Sequence, residues 1–159
     1  MMLTQTAEYA LRGVLFLGAL PMGTRIRVNV MASSLDIPRN YLSKVLYELA
    51  RRGILSSVRG PQGGFALALD PGTLTLAEVI EPFDPFEDRC LLMRRPCSDL
   101  APCIAHNQWK RVAAEVRGFF RETTVAELLA SAPEGAHQRL NDIIALPPTG
   151  TSGRAPRGG

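Results

Sequence analysis

Five residues near the middle of the chain, Gly60-Pro61-Gln62-Gly63-Gly64, constrain its fold more than any other stretch. Glycine adopts positive φ readily and proline fixes its own φ at about −65°, so such a run reverses the backbone within a few residues. The flanking segments can pair across the reversal. Ile54, Leu55, Ser56, Ser57, Val58 and Arg59 suit a strand leading in, and Phe65, Leu67 and Leu69 alternate with Ala66 and Ala68 leading out. The spacing predicts a two-stranded hairpin. A phosphate-binding loop would need a Lys-Ser/Thr pair and an immediate helix, and neither follows these glycines.

Upstream of the hairpin the apolar residues keep a helical period. Ala7, Ala10, Leu11, Val14, Leu15 and Gly18 recur three and four apart, predicting a helix over 5–20 that Pro21 and Gly23 end. Val28 to Leu35 fits a second, short helix. Pro38 suits the opening of a third, with Tyr41, Leu42, Val45, Leu46 and Leu49 as its buried stripe and Gly53 as its stop. Ala32, Asp36 and Leu42 stand at the spacing of a helix-turn-helix. A small residue there lets the helices approach, and Asp tolerates the left-handed backbone of the turn better than most.

Downstream, Thr75 and Glu78 have capping-box spacing ahead of a helix from Leu76 to Ile80, broken by Pro82 and Pro85. A loop then carries all three cysteines. A long helix is expected over about 104–121, a shorter one over 125–130 and a weak one over 136–146. Pro, Gly, Ser, Thr and Arg dominate from Pro147, predicting a disordered tail. No internal repeat is evident. The fold class expected is mainly α, a winged helix-turn-helix with a two-stranded wing plus a long helix. The expected division is 1–82 for the winged helix-turn-helix, 83–103 for the cysteine loop, 104–146 for the long helix and C-terminal helices, and 147–159 for the tail.

Charge divides along the same line. Residues 1–66 carry eight basic and three acidic side chains, a net +5, and the rest of the 159-residue chain carries ten and twelve, a net −2. A basic front on a chain of overall charge +3 points to a polyanion partner. The third helix is the one expected in the DNA major groove, with Asn40, Ser43 and Lys44 as base readers. Lys44, Arg51, Arg52 and, on the wing, Arg59 are expected to contact phosphates or the minor groove. The apolar run Leu11–Leu20 is read as a buried helix, not a leader or a membrane span, so the chain is expected in the cytoplasm with its thiols reduced.

Three cysteines, an odd and low count, argue against a disulfide scaffold. Cys90, Cys97 and Cys103 form a C-x6-C-x5-C array in one proline-interrupted loop, close enough in sequence to converge on one centre. The array lacks the C-x2-C of common zinc sites. Iron–sulfur clusters take four protein ligands, so three thiols leave one place for another residue. His106, three residues after Cys103, can face the same site. The sequence offers no second His-rich cluster, no catalytic dyad and no substrate loop, so no catalytic residue is assigned and an enzyme is not expected.

The string Ser56-Ser57-Val58-Arg59-Gly60-Pro61-Gln62-Gly63-Gly64-Phe65 resembles the wing of the Rrf2 family of bacterial transcription regulators. Leu3-Thr4 with Tyr9-Ala10-Leu11 resembles its first helix, Asn40-Tyr41-Leu42 with Leu46 and Leu49 its recognition helix, and Leu76-Ala77-Glu78-Val79-Ile80 the helix after its wing. Cys103-Ile104-Ala105-His106-Asn107-Gln108-Trp109 is similar to its Cys, His and Trp pattern, although the first gap between cysteines is one residue longer than in the IscR-like branch. The resemblance covers about residues 1–132. It implies a homodimer held by the long helix, a double-stranded DNA operator, repression, and an iron–sulfur cofactor that senses redox state, nitric oxide or cluster supply. The IscR-like branch implies a 2Fe–2S cluster held by the three cysteines and His106. The NsrR-like branch implies a 4Fe–4S cluster with an acid from the partner's first helix, where Glu8 stands in place of the usual Asp. Glu8 has an ordinary alternative as an i,i+4 ion pair with Arg12. A cluster-free winged-helix regulator that uses its thiols as a redox switch is the other reading.

Overall fold

A computed structural model describes residues 3–85, 90–92 and 98–133. Its first helix, α1 (Gln5–Gly18), is the hub. Thr4 caps it, its side chain accepting from the Ala7 N–H. Ala7, Ala10, Gly13, Val14, Phe16 and Leu17 are buried, and Phe16 and Leu17 extend the core face beyond the expected stripe. The reason is position: α1 is packed by four other helices and by a strand, so one narrow face does not suffice.

Helices α2 (Val28–Leu35) and α3 (Arg39–Arg51) form the helix-turn-helix. Asp36 ends α2 in the left-handed conformation, φ 52° and ψ 50°, and Ile37 N–H closes the turn on the Ala32 carbonyl at 3.0 Å. Pro38 caps α3, its carbonyl accepting from Leu42 N–H at 2.9 Å. Leu42, Val45, Leu46 and Leu49 are buried, whereas Tyr41 is exposed. The expected stripe therefore loses its aromatic member. Tyr41 turns towards α1, where its hydroxyl meets Thr6 Oγ1 at 2.6 Å and its ring meets Tyr9 edge-on at 5.5 Å.

Strands β1 (Leu55–Val58) and β2 (Gly64–Leu67) are antiparallel, with Leu55 opposite Leu67 and Val58 opposite Gly64. Gly64 has φ 154°, and a Cβ there would lie 2.6 Å from the Ile26 carbonyl oxygen. β2 departs from the expected alternation: Phe65, Ala66 and Leu67 are all buried, and Leu69 lies past the strand and exposed. Ile26 pairs on the far edge of β2, exchanging N–H···O bonds of 2.9 Å with Phe65 in both directions, so β2 is central and covered rather than half-solvated.

Helix α4 (Leu76–Ile80) and helix α6 (Val125–Ala130) start alike. Thr75 with Glu78 and Thr124 with Glu127 both form complete capping boxes. The two starts also pair with each other: Leu76 N–H donates to Thr123 O at 3.0 Å and Val125 N–H to Leu74 O at 2.9 Å. Thr-Leu-Ala-Glu and Thr-Val-Ala-Glu are thus a short repeated start signal that the sequence reading missed. Val125 packs into the core against Gly18, where an added Cβ would stand 2.9 Å from Val125 Cγ1.

Between them, α5 (His106–Glu122) lies against α4. It begins two residues later than expected, and Ile104 is exposed in the preceding turn. Only His106 and Ala113 of its 17 residues are buried. The predicted helix over 136–146 and the tail over 147–159 lie outside the described residues.

Candidate functional site

The outward face of α3 is built by its period. Asn40, Lys44, Tyr47 and Arg51 follow one another four, three and four residues apart, opposite the buried leucines, and all are exposed. Ser43 is half-buried beside them. Asn, Lys and Ser can pair with base edges, and Arg and Lys with phosphates. Tyr47 was not among the expected readers, although the same four-three spacing would have found it. It is 49% exposed and its ring meets Phe65 of β2 edge-on at 5.1 Å, so the centre of this face is braced against the hairpin.

Arg51 and Arg52 share one carboxylate. Glu48 lies 2.5 Å from Arg51 and 2.9 Å from Arg52, and their hydrogen bonds hold its carboxyl below the usual range. Arg52 sits off the Asn40–Arg51 line and lines a separate cleft with Ile54, Leu69, Glu81 and Arg121. Arg59 is exposed at the end of β1, and the Arg27 guanidinium donates to the Pro61 carbonyl, tying the hairpin tip to the start of α2.

The described cysteines lie in and after the loop that follows α4. Cys90 and Cys103 are half-buried with their sulfurs 3.5 Å apart. Two thiolates on one tetrahedral metal, each bonded at about 2.3 Å, stand about 3.8 Å apart, so this pair fits a shared centre. Cys97 lies outside the described residues, and among the described residues no three donor side chains gather. His106 opens α5, is 6% exposed, and its N–H donates to the Cys103 carbonyl at 3.0 Å. Its Nε2 lies 2.7 Å from Asp99 Oδ1, and Lys110 Nζ reaches both Asp99 oxygens at 2.9 and 3.2 Å. Hydrogen bonds from Lys110, then His106, hold the Asp99 carboxyl below its ordinary value. Neither Asp99 nor Lys110 was expected here. Glu8 is exposed on α1 and lies 3.5 Å from Arg12.

The start of α1 is held from two sides. Asp84, where the chain heads into the cysteine loop, accepts from the Thr4 N–H at 2.8 Å, and Thr6, half a turn on, holds Tyr41 of α3. Thr6, Tyr41, Lys44, Val45 and Phe83 line a cleft of about 220 Å³ between them. On α5, Trp109, Val112, Val116 and Phe119 recur three and four apart, and Val112 and Phe119 are exposed. No helix among the described residues is long and apolar enough to cross a membrane.

A family model described as an iron-dependent transcriptional regulator, Rrf2, matches residues 3–131. An Aquifex aeolicus protein described as an HTH-type transcriptional regulator is 39% identical over 133 residues, 81% of this chain and 92% of that one. The regulator NsrR of Geobacillus kaustophilus is 39% identical over 80 residues, half of this chain and 54% of its own. The regulator IscR of Citrobacter koseri is 29% identical over 131 residues, 81% of this chain and 80% of its own. Among solved structures, CymR, the global cysteine regulator of B. subtilis, aligns with a TM-score of 0.70 at 19% identity over 84% of this chain and 99% of that one. IscR of T. potens aligns with a TM-score of 0.61 at 19% identity over 87% and 96%.

Proposed function

This chain belongs to the Rrf2 family of transcriptional regulators, and from that premise we propose that it is a cytoplasmic homodimeric repressor whose operator affinity is set by an iron–sulfur cluster. It is a winged-helix regulator and not an enzyme. The observation that supports the cluster reading is the Cys90–Cys103 sulfur pair at 3.5 Å.

In this reading Cys90, Cys97, Cys103 and His106 hold a 2Fe–2S cluster. Glu8 of the partner subunit in place of His106, holding a 4Fe–4S cluster, is the alternative. A bound cluster supplies a redox- and nitric-oxide-sensitive tie between the loop and α5. The chain's own residues do the rest. The apolar stripe of α5 joins two copies, a use that suits its exposed Val112 and Phe119. The paired copies offer two α3 helices to successive major grooves of a pseudo-palindromic operator. Asn40, Ser43 and Lys44 read bases, and Arg51, Arg52 and Arg59 attract phosphates. The Asp84–Thr4 and Thr6–Tyr41 contacts couple the loop to α3, so a change in the loop shifts the balance between two DNA-affinity states.

Anaerobic purification with absorption spectroscopy and native mass spectrometry tests this. A coloured dimer carrying iron and sulfide, with operator affinity that changes on cluster loss, is expected. The 3.5 Å sulfur pair also favours a second reading, a thiol switch. A colourless protein whose DNA affinity responds to thiol oxidation would select it. Absence of sequence-specific DNA binding in every form would overturn both.

A further inference from the structure

We propose that Arg27 is a positioning residue for DNA recognition: its guanidinium fixes the tip of the wing and so sets where Arg59 stands relative to the reading helix α3. The inference rests on the reading of Arg59 as a DNA contact. It begins from a residue in an unusual place. Arg27 is the N-cap of α2, a position that favours Ser, Thr, Asp or Asn because their oxygens accept from the helix's first N–H groups. An arginine side chain has no acceptor, and no side-chain cap bond forms there. The guanidinium instead crosses to the hairpin and donates to the carbonyl of Pro61, 34 residues on.

The hairpin needs such a hold. β1 and β2 pair over four residues each, and a two-stranded hairpin of that length is marginal by itself. Its base is fixed. Ile26 exchanges hydrogen bonds with Phe65, and a Cβ on Gly64 would stand 3.1 Å from the Arg27 backbone nitrogen, so the chain entering α2 lies along the edge of β2. The tip is held differently. Arg59, Gly60, Pro61 and Gln62 are all exposed, and the ladder ends at the Val58–Gly64 pair. Gly63 N–H on Gly60 O at 2.9 Å closes the turn on itself, not on the body of the domain. The Arg27 bond makes that second connection. Because α2 packs on α3, the bond puts Arg59 and the reading helix in one frame. A free tip would have to be ordered on binding DNA, and the entropy lost would be taken from affinity.

The test uses the full chain, purified anaerobically, and a DNA duplex that the parent protein selects from a random-sequence pool. Without DNA, Arg27→Met should lower the backbone amide order parameters of Gly60, Gln62 and Gly63 in NMR relaxation, while Ser56 and Ser57 keep theirs. An unchanged tip overturns the inference. With DNA, a double-mutant cycle separates holding the wing from touching a phosphate. Arg27→Met should weaken binding roughly five-fold in the parent and less than about two-fold in an Arg59→Ala background, because the residue it positions is then gone. The same loss in both backgrounds, with the slope of log affinity against log salt reduced by about one each time, would make Arg27 a phosphate contact in its own right and overturn the inference. An Arg59→Ala protein with the parent's affinity overturns the reading of Arg59 beneath it, whatever the tip does.

Discussion

Helices α3 and α5 carry apolar residues at nearly the same spacing and use them in opposite ways. In α3, Leu42, Val45, Leu46 and Leu49 are covered by α1, α2 and β1, and the exposed residues are polar or charged apart from the Tyr41 and Tyr47 rings. In α5, Trp109, Val112, Val116 and Phe119 keep the same three-four rhythm, yet only Ala113 and His106 are buried. The residues around α3 complete their own core. α5 leaves part of its stripe exposed, and its buried histidine is held by the loop's Asp99. One helix is finished by its own chain, and the other is left open, which suits the dimer and cluster proposed for it.

Removing what is added should have the largest effect. Cys103→Ala, and equally Cys97→Ala, should abolish the iron–sulfur absorption altogether while leaving the thermal unfolding of the cluster-free chain nearly unchanged; a stable full cluster in either variant would break the contrast. Next, Leu46→Ala should cost about 3 kcal/mol in denaturant unfolding, independent of protein concentration, because a fully buried leucine leaves a cavity. Phe119→Glu should leave the circular dichroism intact and weaken the dimer roughly thirty-fold, about 2 kcal/mol, in sedimentation. Equal loss of monomer stability in both would mean that α5 is as self-covered as α3.

Smaller effects sharpen the same division. Arg59→Ala should lower operator affinity and reduce the slope of log affinity against log salt by about one, with cluster content unchanged. The smallest concerns the seam between the two regions. The N–H and hydroxyl of Thr124 hold the Glu127 carboxyl below its ordinary 4.5. A carboxylate lowered in the folded state adds stability above its unfolded pKa and loses it as pH falls through the folded value. Glu127→Ala should therefore lower the melting temperature slightly at neutral pH and by less in acid; a deficit that grows as pH falls would reverse the sign.

Much of α3's half of the molecule is legible in the sequence, because local rules and tertiary packing agree there. Val28–Leu35 is bounded as its period predicts, Asp36 adopts the left-handed turn that a short polar side chain tolerates, and the Thr75–Glu78 box is complete. Where the reading departs, a long-range partner intervenes. Thr6 draws Tyr41 out of the apolar stripe, and Ile26 turns β2 from an edge into a covered strand. The thiol site is legible only as a set of residue types. Nothing in the spacing of Asp99, His106 and Lys110 says that the first would bridge the other two, because that depends on how the loop folds back over the start of α5.

The seam at Thr75 and Thr124 has a mechanical consequence for α5. Its last turn is fastened to the start of α4 by Leu76 N–H on Thr123 O, while its first residue follows the thiol-bearing turn. Seventeen residues make a rod of roughly 25 Å. A rod hinged at one end converts a sideways step into a tilt, and a step of about 1 Å at the His106 end becomes a swing of about 2°.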